Sequence, residues 1–148
     1  MDRVEQARAI LKRSSEINQM MKVIGEEGTS DEDYVVYQKG ELLDAVYLQQ
    51  NSFDPIDAAC GPDRQRHEFD VLYDVLTRNF ALSDKKEIRA FFNQLRHELM
   101  DTVQLAAYII FEHGLRSQQL AVNQMNVVRV LLLHFGNAVY IGTQLGKR

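Results

Sequence analysis

The sequence predicts an all-α protein, a helical bundle of about five helices folded as a single domain. Apolar residues recur at spacings of three and four over long stretches, which is the period of one helix face. Gly, Pro and Ser/Asp clusters punctuate those stretches where helices start and stop. Alternating apolar and polar residues, the mark of a half-buried strand, are scarce. The 148 residues, 45% hydrophobic and 26% charged, suffice for one buried core and are too apolar for a disordered tail.

In the first predicted helix, 3–24, Val4, Ala7, Leu11, Ile17, Met21 and Ile24 form one stripe. Asp2 is the candidate N-cap, and Gly25 the candidate left-handed residue that ends the helix. Met20 and Met21 read as adaptable core filling. The stretch from Gly25 to Asp33 then holds five carboxylates, Glu26, Glu27, Asp31, Glu32 and Asp33. Ser30 as N-cap and Asp33 as its capping-box partner account for the last three, since acids favour a helix N-terminus. They do not account for Glu26 and Glu27. Capping alone, and capping combined with contact to a basic partner, both stand.

The second predicted helix covers 31–51, with Val35, Leu42, Leu43, Val46 and Tyr47 inward. Gly40 interrupts it at a cost of about 1 kcal/mol relative to Ala; close packing or a local bend would each explain it. Asp54-Pro55 must stop the helix at or before Phe53, because proline lacks a donor and steers its predecessor away from helical dihedrals. Gln49, Gln50, Asn51 and Phe53 gather at that break. They suit either a hydrophobic plug with solvated amides or a seat for a flat, polar-edged ligand such as a nucleobase. A turn through Cys60, read as a small hydrophobe, leads to Pro62 at a first helical position. Phe69, Leu72, Tyr73, Leu76 and Phe80 give the third stripe. Ser83 is the next candidate cap, and Ile88, Phe91, Phe92, Leu95, Leu99, Val103, Ala106 and Ile110 form a long stripe closing at Gly114. The segment 117–142 is apolar on most sides and therefore belongs in the core or against a second copy of the chain. A short strand at 127–133 is the alternative there.

The net charge of −4 disfavours nucleic acid, which needs a basic face. A single cysteine excludes an internal disulfide and points to a reducing compartment. The N-terminus lacks a secretory apolar core, and no window reaches the roughly 18 apolar residues of a membrane span, so a soluble protein is expected. His97-Glu98-Leu99-Met100-Asp101 lacks the second histidine of a zinc-protease helix. None of His67, His97, His113 and His134 has a glutamate three residues before it, so no metal ligand is predicted. No phosphate-binding loop, dinucleotide fingerprint or nucleophile elbow occurs, so no catalytic residue is predicted. Without a phosphate loop, its lysine and its Mg²⁺ ligand, these residues are not expected to transfer a phosphoryl group by themselves.

The segment Leu48-Gln49-Gln50-Asn51-Ser52-Phe53-Asp54-Pro55-Ile56-Asp57 resembles one found in the C-terminal helical domain of the catalytic A subunit of V-type and archaeal A-type rotary ATPases. Those chains usually carry Ala at the position of Ser52. Upstream, the acidic corner resembles the helix-loop-helix that rotary ATPase catalytic subunits turn towards the rotor; it matches the F-type β-chain motif loosely and lacks that motif's leucine. The resemblance covers 1–82, and 83–148 are read as further helices without a clear match. It implies that Phe53 packs against adenine with Ser52 and Gln50 lining the pocket, and that Glu26, Glu27, Asp31, Glu32 and Asp33 face the rotor. It also implies a longer subunit, with the phosphate loop in an upstream domain and Met1 an artificial start. That subunit would use ATP/ADP with Mg²⁺, which are not expected cofactors of this part alone. Its partners would be the B subunits and the central-stalk rotor subunits, in a cytoplasmic head peripheral to the membrane and without direct membrane contact. Its ATP hydrolysis or synthesis would be coupled to H⁺ or Na⁺ transport. Two rival readings are a free-standing helical adaptor that binds proteins without nucleotide, and a domain of a non-catalytic B-type subunit. In isolation, the apolar C-terminal helix would offer a pairing surface between copies.

Overall fold

The computed structural model describes residues 2–49, 62–80, 82 and 84–113, with side chains described throughout except at 63, 64, 67 and 102–113. Among the described residues there are four α-helices and no strand: α1 (Arg3–Ile24), α2 (Asp31–Leu43), α3 (Pro62–Thr77) and α4 (Lys85–His113). The all-α prediction holds, with four described helices rather than about five. The expected helix at 117–142, its alternative strand at 127–133 and the pairing surface there lie outside the described residues, as do Gly114, Cys60 and Ser83.

The helix ends follow local chemistry, with some departures from expectation. Asp2 precedes α1, but its side chain makes no capping bond; its backbone carbonyl accepts from the Gln6 N–H at 3.1 Å. Gly25 ends α1 with φ of 77° and ψ of 166°. That is not the left-handed helical region expected for it but an extended positive-φ region essentially reserved for glycine. Ser30 caps α2, accepting from the Asp33 N–H at 3.1 Å. The expected reciprocal bond of a capping box is replaced, because the Asp33 carboxylate accepts from Arg13 at 3.0 Å. Before α4, Asp84 supplies the cap: its carboxylate accepts from the Lys86 N–H and its carbonyl from the Ile88 N–H.

The second helix stops sooner than 51. Beyond Leu43 it widens into a π-helical turn, Asp44–Leu48, and the Gln49 N–H reaches back five residues to the Asp44 carbonyl at 2.9 Å. Gln49, at φ −85° and ψ 62°, leaves the helix. Its side-chain amide donates to the Asp44 carboxylate at 2.6 Å.

α1 and α2 form a helical hairpin, with α3 against α1 and α4 along α2. Arg3 pairs with Asp70 and Tyr73 donates to Gln6, the same sequence offset, so α3 runs parallel to the start of α1. The core is shared by all four helices, with Ala7, Leu42, Leu72, Leu76, Ile88 and Phe92 among its buried members. Phe80, just past α3, closes it against Phe91 and Phe92, with ring centroids 4.9 and 5.7 Å away. The hairpin is tight at Gly40, where an added Cβ would overlap Oγ and Cβ of Ser14, which is itself buried. Close packing is therefore the reason for glycine in mid-helix. Ser14 completes the junction by donating to the Tyr37 carbonyl at 3.1 Å.

Two buried residues of α2 break the expected pattern. Tyr34 is 2% exposed and is among the largest fully buried side chains. Lys39 is 7% exposed; its ammonium donates to the Arg78 carbonyl at 2.6 Å, just beyond α3, and lies 5.4 Å from the centre of the Phe80 ring. Burial pulls its pKa down to about 8.

The acidic corner as candidate functional site

The loop between α1 and α2 is held in shape by its own backbone and by α4. Gly25 makes the turn, and Thr29, 3% exposed, folds back over it. The Thr29 hydroxyl donates to the Gly25 carbonyl at 3.3 Å and its N–H to the Glu26 carbonyl at 3.1 Å. At Gly28 the chain lies against the end of α1, where an added Cβ would come within 2.9 Å of the Ile24 carbonyl oxygen.

α4 fastens this corner from outside. Arg89 donates to both carboxylate oxygens of Glu26, at 2.6 and 2.5 Å, while its Nε donates to the Tyr34 hydroxyl at 3.2 Å. One turn earlier, Lys85 donates to the Glu27 carbonyl at 3.2 Å. On the far side, Arg13 of α1 spans Asp33 and Glu16, and the hydrogen bond to Asp33 is the main reason its pKa is raised. A planar guanidinium suits this work because its fixed fork meets two acceptors at once.

The five carboxylates named from the sequence thus divide into two groups. Glu26 and Asp33 are consumed internally, as a tether to α4 and a tie across the hairpin. Glu27, Asp31 and Glu32 are exposed, and no hydrogen bond or ion pair among the described residues engages their carboxylates. Their charge is turned outward at one end of the molecule. Sequence reading missed Arg13, Lys85, Arg89 and Tyr34. A signal was present, since Lys85, Lys86 and Arg89 open a long helix in a chain whose densest acidic run lies elsewhere. Gln50, Ser52 and Phe53, the residues named for an adenine pocket, lie outside the described residues. Among the described residues no group of three or more His, Cys, Asp or Glu side chains could hold a metal ion. No described helix is long and apolar enough to cross a membrane.

A helical hairpin with a fastened acidic corner is a scaffold that many proteins could share, and comparison with known chains decides among them. The family model for the C-terminal domain of V and A type ATP synthase matches residues 1–92. The chain belongs to that family. The match takes in all of α1, α2 and α3 and ends within α4, on the core residue Phe92. Among curated proteins, the V-type ATP synthase alpha chain of Borrelia garinii subsp. bavariensis is 54% identical over 99 residues, covering 67% of this chain and 17% of that one. The corresponding protein of Borrelia turicatae is 56% identical over 95 residues, 64% of this chain and 16% of its own. That of Borrelia duttonii is 44% identical over 131 residues, 88% of this chain and 22% of its own. This V/A-type C-terminal domain therefore spans about a fifth or less of the relatives it matches. No solved structure matches it.

Proposed function

We propose that this domain acts within the catalytic A subunit of a V/A-type rotary ATPase, where its α1–α2 corner meets the central stalk. The observation that carries the reading is family membership joined to three unpaired carboxylates on a braced loop. Coupling rotation to catalysis requires a contact that keeps its shape under load. The Arg89 and Lys85 ties to α4 supply that stiffness, while Glu27, Asp31 and Glu32 supply the charge. Glu26 and Asp33 act in this reading as braces rather than contact residues. Phe53, Ser52 and Gln50 contribute one side of an adenine pocket. ATP or ADP with Mg²⁺, the phosphate-binding residues and the B-subunit neighbours belong to the whole complex, a head peripheral to the membrane that works in hydrolysis or synthesis coupled to H⁺ or Na⁺ transport. This domain on its own supplies no turnover.

The test uses the full subunit in its assembled head. Replacing Glu27, Asp31 and Glu32 by Gln, Asn and Gln should weaken central-stalk binding at about 50 mM salt. The difference should shrink at about 500 mM, where the Debye length falls to roughly 4 Å. Stalk affinity equal to wild type at both salt concentrations would remove these carboxylates from the contact.

A further inference from the structure

The last turns of α1 carry an apolar strip that the fold does not cover. Met20, Val23 and Ile24 stand at the i, i+3, i+4 positions of one helix face, with exposures of 38%, 86% and 48%. Ile17 and Met21, on the same helix, turn the other way: Ile17 is 1% exposed and Met21 packs on the core. Single exposed apolar residues are ordinary on protein surfaces. A contiguous strip at the end of a helix, beside the only tight glycine loop of the described residues, points to an interaction surface. Because Gly28 lies directly against Ile24, the strip borders the loop that bears Glu27 and leads to Asp31 and Glu32.

We propose that Met20, Val23 and Ile24 form an apolar seat for an amphipathic helix of the central stalk, with Glu27, Asp31 and Glu32 orienting the basic residues that edge that helix. The inference rests on the stalk-contact reading above and specifies the partner's chemistry. Charge complementarity selects this occupant. An apolar strip edged by uncompensated carboxylates fits an apolar stripe flanked by Lys or Arg. A second copy of the same acidic surface would be repelled, and so would an anionic lipid surface. The ties of Lys85 and Arg89 hold the loop before any partner arrives, so little ordering is left for binding to accomplish.

The division of labour can be read experimentally. The apolar seat sets affinity independently of salt, whereas the carboxylates act through a screened field. In the assembled head with full-length subunits, Val23→Ser and Ile24→Ser are titrated with the purified central-stalk subunits at about 50 and about 500 mM salt. Each should lose roughly tenfold in affinity at both concentrations. The carboxylate triple variant should lose affinity at low salt alone. Val23 is so exposed that its replacement by Ser should leave the melting temperature unchanged. Stalk affinity of Val23→Ser and Ile24→Ser equal to wild type, with the carboxylate effect intact, overturns the seat while sparing the acidic contact. Lost thermal stability with unchanged stalk affinity assigns the strip to another segment of the same chain and overturns the seat as well. A wild-type head that does not bind the stalk sinks the parent reading and this proposal together.

Discussion

Gly40 shows how a single missing methyl group sets the distance between two helices. A glycine in the middle of an exposed helix lowers stability, and Gly→Ala there should gain about 1 kcal/mol. At Gly40 the added Cβ would instead overlap the short, buried Ser14 side chain, which has no room to swing away. Gly40→Ala should therefore destabilise the chain by about 1–3 kcal/mol, the usual range for overpacking. Ser14→Gly in the same chain should return part of that loss. Denaturant midpoints check this, and a stabilised Gly40→Ala would show that the helices are free to move apart. Lys39 makes a second argument at this scale. Its pKa is about 8 when folded and 10.5 when unfolded, so between those values the unfolded chain holds more protons than the native one. Stability must then rise as pH increases through that interval. The expected gain from pH 7.5 to 9.5 is on the order of 1 kcal/mol, and Lys39→Met should abolish the slope. The window stops short of Tyr37, whose pKa burial raises above 10, giving a contribution of opposite sign at higher pH. An equal slope in Lys39→Met would assign the titration to another group.

At the scale of elements, the helices and their stripes were legible because each buries one face, and that demand is written as a three-four spacing. Leu42, Leu72, Leu76, Ile88 and Phe92 all reach the core as their spacing required. Cross-helix chemistry was not legible. Nothing local to Tyr34 or Lys39 says that α2 will be covered by α4 on one side and by the end of α3 on the other. The π-helical turn at Asp44–Leu48 escaped for a related reason. One backbone bond shifted by one residue leaves no mark in the hydrophobic period. The acidic run was visible, but capping could explain only part of it; the rest is settled by Arg89, more than sixty residues away. That tether has a measurable signature. Arg89 and Glu26 are about half exposed, so their ion pair contributes at most about 1 kcal/mol to global stability. Arg89→Ala should lower the melting temperature only slightly. It should nevertheless speed amide exchange at Thr29, whose N–H is bonded to the Glu26 carbonyl. Exchange at Thr29 unchanged in Arg89→Ala would mean that the loop's own hydrogen bonds suffice to hold it.

For the whole molecule, the decisive sequence signal was a run of ten residues around Asp54-Pro55, while the described structure contributes most at the opposite end of α2. These two ends frame the functional proposal. α2 starts at the fastened corner with Asp31 and Glu32 outward, and its π-helical continuation stops at Gln49, directly before the segment that bears Gln50, Ser52 and Phe53. Position at the corner could reach that segment through a rod whose packing against α1, at Gly40, leaves no slack. The proposal divides ATP chemistry between this domain and the rest of the subunit, and the division gives a whole-molecule prediction. The 148-residue chain lacks the phosphate loop, so it should show no ATP hydrolysis and no saturable binding of Mg²⁺-ATP by calorimetry. Within the full subunit, Phe53→Ala should raise KM for ATP about fivefold, the equivalent of roughly 1 kcal/mol of lost ring contact, and leave stalk binding unchanged. A fall in kcat at constant KM would instead place Phe53 in transmission between corner and cleft, and turnover by the isolated chain would mean that the chemistry does not reside in an upstream domain.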